Sequence, residues 1–556
     1  MTANALPAAV IRAEPDGYDL TRERLMGRQS AGNGFLRAAV QARGDRPIHG
    51  FTPSPDSARR IAALVKEIDP AAGFEWVPPE RLQRVTEIGT LYTPGPSLAA
   101  DARLRQRVGL AAYSICGVTH TTASLRAMDD IAALLREPLA PWDALVCTSQ
   151  AVVDTVRQVH AAEAEYLRWR FGPQARPALP RLPVIPLGVH ADDFAVAPGA
   201  RTAARTTLGL AEDTVAILFV GRLVFHAKAH PYALFRALES AARQSGRRLA
   251  LLLCGWFPNA AIEAAFRDGA RDFAPGTPTI FLEGRDAAQR ARAWAAADVF
   301  ASLSDSIQET FGLTPLEAMA AGLPVVVSDW NGYRDTVREG VDGFRIATAA
   351  PAAGLGGPLI FAHESEALSY DQYCWTTTSS TAVDVTAAAQ AIAALARDPE
   401  LRRRLGEAGR RRARETFDWR VVYGQYQALW AELGEQRRRA AGDRRLQGWL
   451  RSLPRVPAAR LDPFQAFAHY PTRTIDGAMR LAVRAGASRA DLDAALRHAL
   501  FGALSVPAEI VQRLFESVGQ RDGSLDDHAR SLGQHLSIVA RAAGLLLKLG
   551  LVEAAS

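Results

Sequence analysis

Short β-rich runs alternate with amphipathic stretches along most of this chain, and that rhythm admits few folds. From about Pro47 to Pro186 it reads PIHGF then ARRIAALVKEI, AAYSICGV then ASLRAMDDIAALLRE, DALVCTS then AVVDTVRQVHAAEAEYL, and LPVIPL. Such alternation predicts a parallel sheet covered by helices on both faces. The small, polar stretch Pro198–Thr207 (PGARTAARTT) interrupts it, and the rhythm restarts with VAILFVG, LALLLCG, TIFLEG, DVFASL, LPVVVSD and GFRIA. At 556 residues the chain exceeds what one core sustains, so two doubly wound domains are expected. The first spans 1–197 and the second 198–440. Two polar helices, Asp398–Arg414 and Asp418–Leu433, close the second.

Residues 444–556 break the pattern and read as a separate α-helical module, with helix starts at Thr474, Ser488 and Ser524 and with Pro507 at a first helical position. Its final stretch, SLGQHLSIVARAAGLLLKLGLV, fits either the helix and turn of a winged-helix domain or a hydrophobic docking helix. Hydrophobic residues at 48% and charged residues at 22% exclude a disordered, collagen-like or disulfide-stapled chain. A net charge of +6 over this length does not by itself imply nucleic acid. Cys116, Cys147, Cys254 and Cys374 show no metal-ligand spacing and read as buried thiols. The first 15 residues lack a basic leader region, and no window approaches a membrane span. The expected location is cytoplasmic, compatible with peripheral membrane association.

The chemistry concentrates in Ser304–Gly343. Thr314-Pro315-Leu316-Glu317 has the order of a capping box: a Thr cap, Pro at the first helical position and Glu at the third. Phe311, Gly312 and Leu313 precede it, where free N–H groups and the helix dipole favour an anion, expected to be a phosphate. Glu309 lies eight residues before Glu317 but across the Gly312 turn, so the two have different tasks. Glu317 is accounted for by capping alone, whereas a carboxylate beside a phosphate needs hydroxyls or a cation, and a sugar supplies hydroxyls.

A second cluster follows a buried strand: AILFVG, then Arg222 and, six residues on, Lys228. Ligands of open α/β sheets bind beyond the carboxyl ends of strands, which places both cations within reach of a diphosphate. Only Lys66, Lys228 and Lys548 are lysines, so Lys228 stands out against an arginine-dominated background.

Glu309, seven residues, then Glu317, framed by FG and PLEAMAAGLPVV, resembles the donor site of retaining GT-B glycosyltransferases of family 4, with VGRL and LPVIPLGV in support. The likeness covers roughly residues 20–435. It implies two Rossmann-like domains facing a cleft, the first on the acceptor side and the second on the donor side. It also implies a nucleotide-diphosphate sugar donor, an acceptor hydroxyl on a glycan, lipid or protein, no cofactor and no bound metal. By that resemblance Glu309 holds donor-sugar hydroxyls and Glu317 the ribose, Arg222 and Lys228 neutralise the diphosphate, and the amides of Gly312 and Leu313 hold phosphate. Gly27–Gly34, with Gly32 and Gly34, resembles the family's glycine-rich loop facing acceptor and donor phosphate. His120, in VTHTT after a strand, matches its histidine near the donor sugar. The chain departs from the family at His190, where an acidic residue is common, and at Tyr370–Thr381, which has no counterpart to align; that stretch reads as a lid, an acceptor contact or, the reading preferred, an ordered insertion.

A glycoside hydrolase would use two carboxylates across a glycosidic bond, but it has no use for Arg222 and Lys228. A phosphorylase needs a pyridoxal lysine, and none of the three lysines has a suitable setting. The remaining alternative is a GT-B scaffold whose C-terminal module recognises a protein, a membrane surface or nucleic acid. The basic run offered to such a partner, RRRLGEAGRRRAR, lies ahead of that module at 402–414 and has no interleaved aromatics for base stacking, so nucleic acid is the weakest of these partners.

Overall fold

The computed structural model describes residues 7–20, 27–174, 177–498, 500 and 506–555. The chain divides into two compact units, Met1–Pro457 and Ala458–Ser556.

The first unit contains two six-stranded parallel sheets. One comprises β1 (Val10–Arg12), β2 (Ile48–Phe51), β3 (Phe74–Val77), β4 (Thr90–Thr93), β5 (Ser114–Val118) and β6 (Ala144–Val146), in the order β3-β2-β1-β4-β5-β6. The other comprises β7 (Val215–Val220), β8 (Leu249–Gly255), β9 (Thr279–Glu283), β10 (Val299–Ser302), β11 (Val325–Ser328) and β12 (Gly343–Ile346), in the order β12-β11-β10-β7-β8-β9. Helices cover both faces of each sheet, which is why β8 is buried along its whole length and reads as an unbroken apolar run. This is the GT-B arrangement. The strand order reverses between β1 and β4 in one sheet and between β10 and β7 in the other. The crevice outside such a reversal is where ligands of open sheets bind.

Several expectations change. LPVIPL is not a strand: Val184 only bridges Cys147 beside β6, because Pro183 and Pro186 lack the N–H groups that a ladder needs. PGARTAARTT is not a break but carries a helix, Ala200–Thr207, whose Arg205 reaches Asp298 at 3.1 Å. The helix Trp419–Gly442 is not a polar closing helix of the second half. It buries Trp419, Tyr423, Tyr426, Trp430 and Leu433 against Phe35 and Tyr92 of the first half. The two crossings between the halves run side by side, with Val189 N–H donating to Phe417 O at 2.8 Å and Trp419 N–H to Val189 O at 3.0 Å. His190 donates from Nε2 to Gly34 O at 3.1 Å, a contact that a carboxylate could not make.

The Arg444–Ser452 helix also falls in the first unit, where Leu450 and Leu453 pack on Leu110, Ala140 and Trp142. The second unit therefore begins at Ala458 rather than near 444. It has its own core of Leu492, Leu514, Leu525, Val539 and Leu546. Ser488 and Ser524 cap helices as expected, each within a capping box. No helix starts at Thr474, and Pro507 precedes the Ala508–Gln520 helix as its cap residue. Helix Leu525–Leu532, a left-handed Gly533 and helix Leu536–Lys548 lead into the strand Val552–Ala554, which pairs antiparallel with Leu481–Val483. The apolar stripe of the last helix is buried within the unit and is not a free docking face.

Candidate functional site

Loops from the reversal points of both sheets line one cavity of ≈ 1270 Å³. His120, Arg222, Lys228, Glu309, Gly312, Leu313 and Glu317 all line it. Gly32 and Gly34 do not. The predicted glycine-rich loop is instead the start of the Gly27–Gln41 helix, of which Gly27, Arg28 and Ser30 reach the cavity. Gly32 and Gly34 serve packing: a Cβ would stand 1.9 Å from Gly17 O at the first and 2.3 Å from Trp419 Nε1 at the second.

The loop after β7 is pinned from beneath by the residues after β10. Ser304 Oγ donates to Lys228 O at 2.8 Å and Ser306 Oγ to His226 O at 3.1 Å, while His230 N–H donates to Asp305 Oδ1 at 3.1 Å. The Asp305 carboxyl is buried and pushed up to about 8. Lys228 Nζ then meets Glu309 Oε2 at 3.1 Å. Arg222 stands in the same wall, where burial lowers its pKa against the attraction of Asp371 and Glu309.

The helix Leu313–Ala321 begins two residues earlier than its capping box predicts. Gly312 is the cap residue, no side chain caps the helix, and Glu317 lies in the second turn. The backbone N–H groups of the first turn are thus left to a ligand, which strengthens the anion reading. Gly312 is required here: its φ is 87°, and a Cβ would fall 2.0 Å from Tyr333 Cε1. Relieved of capping, the Glu317 carboxyl faces the cavity with burial raising it to about 7, opposed by the positive charges of Arg290 and Lys228.

The first half contributes His120, two residues beyond β5. Its Nε2 donates to Pro94 O at 3.2 Å, leaving Nδ1 as an acceptor, and burial holds the ring neutral by lowering it to about 4. Its carbonyl accepts from Thr310 Oγ1, and Ser149 Oγ donates to Thr310 O at 2.9 Å, so the segment bearing Glu309 is fastened to the opposite half.

Sequence reasoning missed Trp256, Arg285 and Arg290, which also line the cavity. Trp256 directly follows β8 and Arg285 comes two residues after β9, and these strand-end positions were a usable signal; the Arg285 guanidinium lies 5.8 Å from the Trp256 ring centre. Arg290 sits within the Ala287–Ala296 helix and had no such signal. The basic run 402–414 is largely committed to structure. Arg403 pairs with Glu400 and Glu407, Arg410 donates to Ala321 O at 2.8 Å, and Arg412 donates to Thr336 O at 3.1 Å.

Residues 200–354 match the family Glycosyl transferases group 1. The match takes in Arg222, Lys228, Glu309, Gly312, Leu313 and Glu317, and ends before the inserted segment 370–381. The D-inositol 3-phosphate glycosyltransferase of Geodermatophilus obscurus is 34% identical over 248 residues, 42% of this chain and 51% of that protein. That of Nocardia farcinica is 32% identical over 254 residues, 44% and 53%. The chain thus spans about half the length of the curated relatives it matches. Anabaena HepE in complex with UDP superposes with a TM-score of 0.49 at 14% identity, over 76% of this chain and 100% of that one. No helix among the described residues is long and apolar enough to cross a membrane.

Proposed function

We propose that the protein is a retaining, metal-independent glycosyltransferase of family 4 that moves a sugar, most simply a hexose, from a nucleotide-diphosphate sugar to an acceptor hydroxyl. One observation carries this reading: Arg222, Lys228 and an uncapped helix N-terminus converge on a cavity that also holds two carboxylates in different electrostatic settings. The cations and the amides of Gly312 and Leu313 stabilise the diphosphate as it leaves with the bonding electrons of the anomeric carbon, the task a metal performs elsewhere. Glu309, already turned toward Lys228, accepts hydrogen bonds from donor-sugar hydroxyls. Glu317 accepts them from the ribose. Neutral His120 offers its Nδ1 to a sugar hydroxyl rather than a charge. With the leaving diphosphate on one face, the acceptor hydroxyl enters from that same face and passes its proton to the departing phosphate oxygen, which preserves the anomeric configuration.

The relatives' names, D-inositol 3-phosphate glycosyltransferase, support a glycosyl transfer and leave the acceptor to the N-terminal half, outside the family match. The second unit, with its own core, serves recognition of the acceptor or of a protein or membrane-surface partner. The deciding experiment follows nucleotide release and sugar transfer across UDP-, GDP- and ADP-sugars. One donor should give release that rises with acceptor and a product of retained configuration. Neither binding nor turnover of any donor, or inversion at the anomeric carbon, overturns the reading.

A further inference from the structure

Between β12 and the Val385–Arg397 helix the chain inserts two short helices, Gly357–Glu364 and Tyr370–Ser379. The His363 and Tyr373 rings stack at 4.8 Å and hold the pair together. A capping box of Ser369 and Gln372 fixes the first turn of the second helix. Trp375, 49% exposed, meets Phe225 edge-on at 5.6 Å and so docks that helix on the loop carrying Arg222 and Lys228. Asp371, in the first turn, is thereby brought to 3.6 Å from His226 Nε2 (Oδ1 to Nε2), with its side chain 73% exposed.

The two cations that the loop after β7 brings to the cavity, Arg222 and Lys228, each have a carboxylate nearby. Lys228 has Glu309 at 3.1 Å. Arg222 forms no ion pair among the described residues, and the strongest attraction on it comes from Asp371, ahead of Glu309. Glu309 belongs to the paired-glutamate motif. Asp371 belongs to no motif and lies beyond the family match.

We propose that Asp371 is a positioning residue of the diphosphate site: it is the counter-charge toward which Arg222 and His226 are drawn when no diphosphate is bound, and it thereby hastens departure of the nucleotide product. This rests on the glycosyltransferase reading above. Asp371 and a diphosphate carry like charge and draw on the same guanidinium, so Asp371 opposes diphosphate binding and assists its exit. Because Asp371 is exposed, the competition is screened by salt.

The test titrates UDP, GDP and ADP by calorimetry against the full chain and its Asp371→Asn and Asp371→Glu variants, at low and high salt, with melting curves as a check of folding. For the diphosphate that the wild type binds, Asp371→Asn should bind about threefold to tenfold more tightly at low salt, with most of the gain lost at high salt. Asp371→Glu should return to the wild-type affinity. In turnover, Asp371→Asn should lower kcat while kcat/KM holds or rises. Unchanged or weakened diphosphate affinity in Asp371→Asn, with the wild type binding normally, overturns the proposal. A wild type that binds none of the three diphosphates instead refutes the glycosyltransferase reading, and this proposal with it.

Discussion

The Glu317 carboxyl gives the most exacting test of the proposed donor site, because its ionisation should be coupled to ligand binding. Burial raises it from 4.5 to about 7, so near neutrality it is half protonated in the empty protein. Ribose hydroxyls hydrogen-bond best to the ionised form, and a ligand that needs the carboxylate must first remove the proton. At pH 8 that is nearly free, whereas at pH 6 only about a tenth of the molecules are ready, so donor affinity should fall by up to about tenfold between the two. The ligand should be a nucleotide sugar, since the second ionisation of a terminal phosphate, near pH 6, would mask the effect. In Glu317→Gln the affinity should be lower at pH 8 and flat between pH 6 and 8. Asp305, also raised, is retained in the variant, so the difference between the two proteins isolates Glu317.

Stability has a defined sign. The folded pKa exceeds the unfolded value, so the contribution of Glu317 is present below about 4.5 and is lost as pH rises through about 7. The rise corresponds to at most about 3 kcal/mol, and contact with the open cavity reduces it. Without ligand, Glu317→Gln should therefore melt above the wild type at pH 8 and not at pH 5. A wild-type donor affinity that does not change from pH 6 to 8, or an equal slope in the variant, refutes the reasoning.

Glu309→Gln should leave the nucleotide bound and depress turnover, and nucleotide titration of both glutamate variants checks this; equal loss of affinity in the two overturns the division of roles. Treatment with EDTA should leave turnover intact, whereas loss on chelation with recovery on adding manganese contradicts the electrostatic task given to Arg222 and Lys228. A chain ending after Pro457 should stay folded and keep donor binding, because every cavity residue named above lies before it and the second unit has a separate core. Aggregation and loss of nucleotide binding by that truncated chain refutes the modular reading. Gly34→Ala should destabilise the first unit, read as a lowered Tm, because the added Cβ meets the Trp419 indole at 2.3 Å.

Periodicity alone determined the parallel α/β class, because strands buried on both faces are near-continuous apolar runs and leave a signal at every turn of the chain. All six strands of the second sheet were legible for that reason. In the first sheet β1, β3 and β4 were not, since VIR, FEWV and TLYT are three or four residues long and acquire strand character only through pairing with neighbours. That Arg222, Lys228, Glu309 and Glu317 lie near one cavity was legible because they follow strand ends or flank a helix start, positions that local sequence marks. Tertiary structure decided what local sequence cannot encode. It moved the helix start from Thr314 to Gly312, where Tyr333 closes over the turn, and so turned Glu317 from a cap into a cavity carboxyl. It made Gly32 and Gly34 packing residues, because the need for a missing side chain is set by Gly17 and Trp419, the second of them almost four hundred residues away. It also brought Asp371 beside His226, for an electrostatic partner is fixed by distance in space, of which the order of residues carries no record.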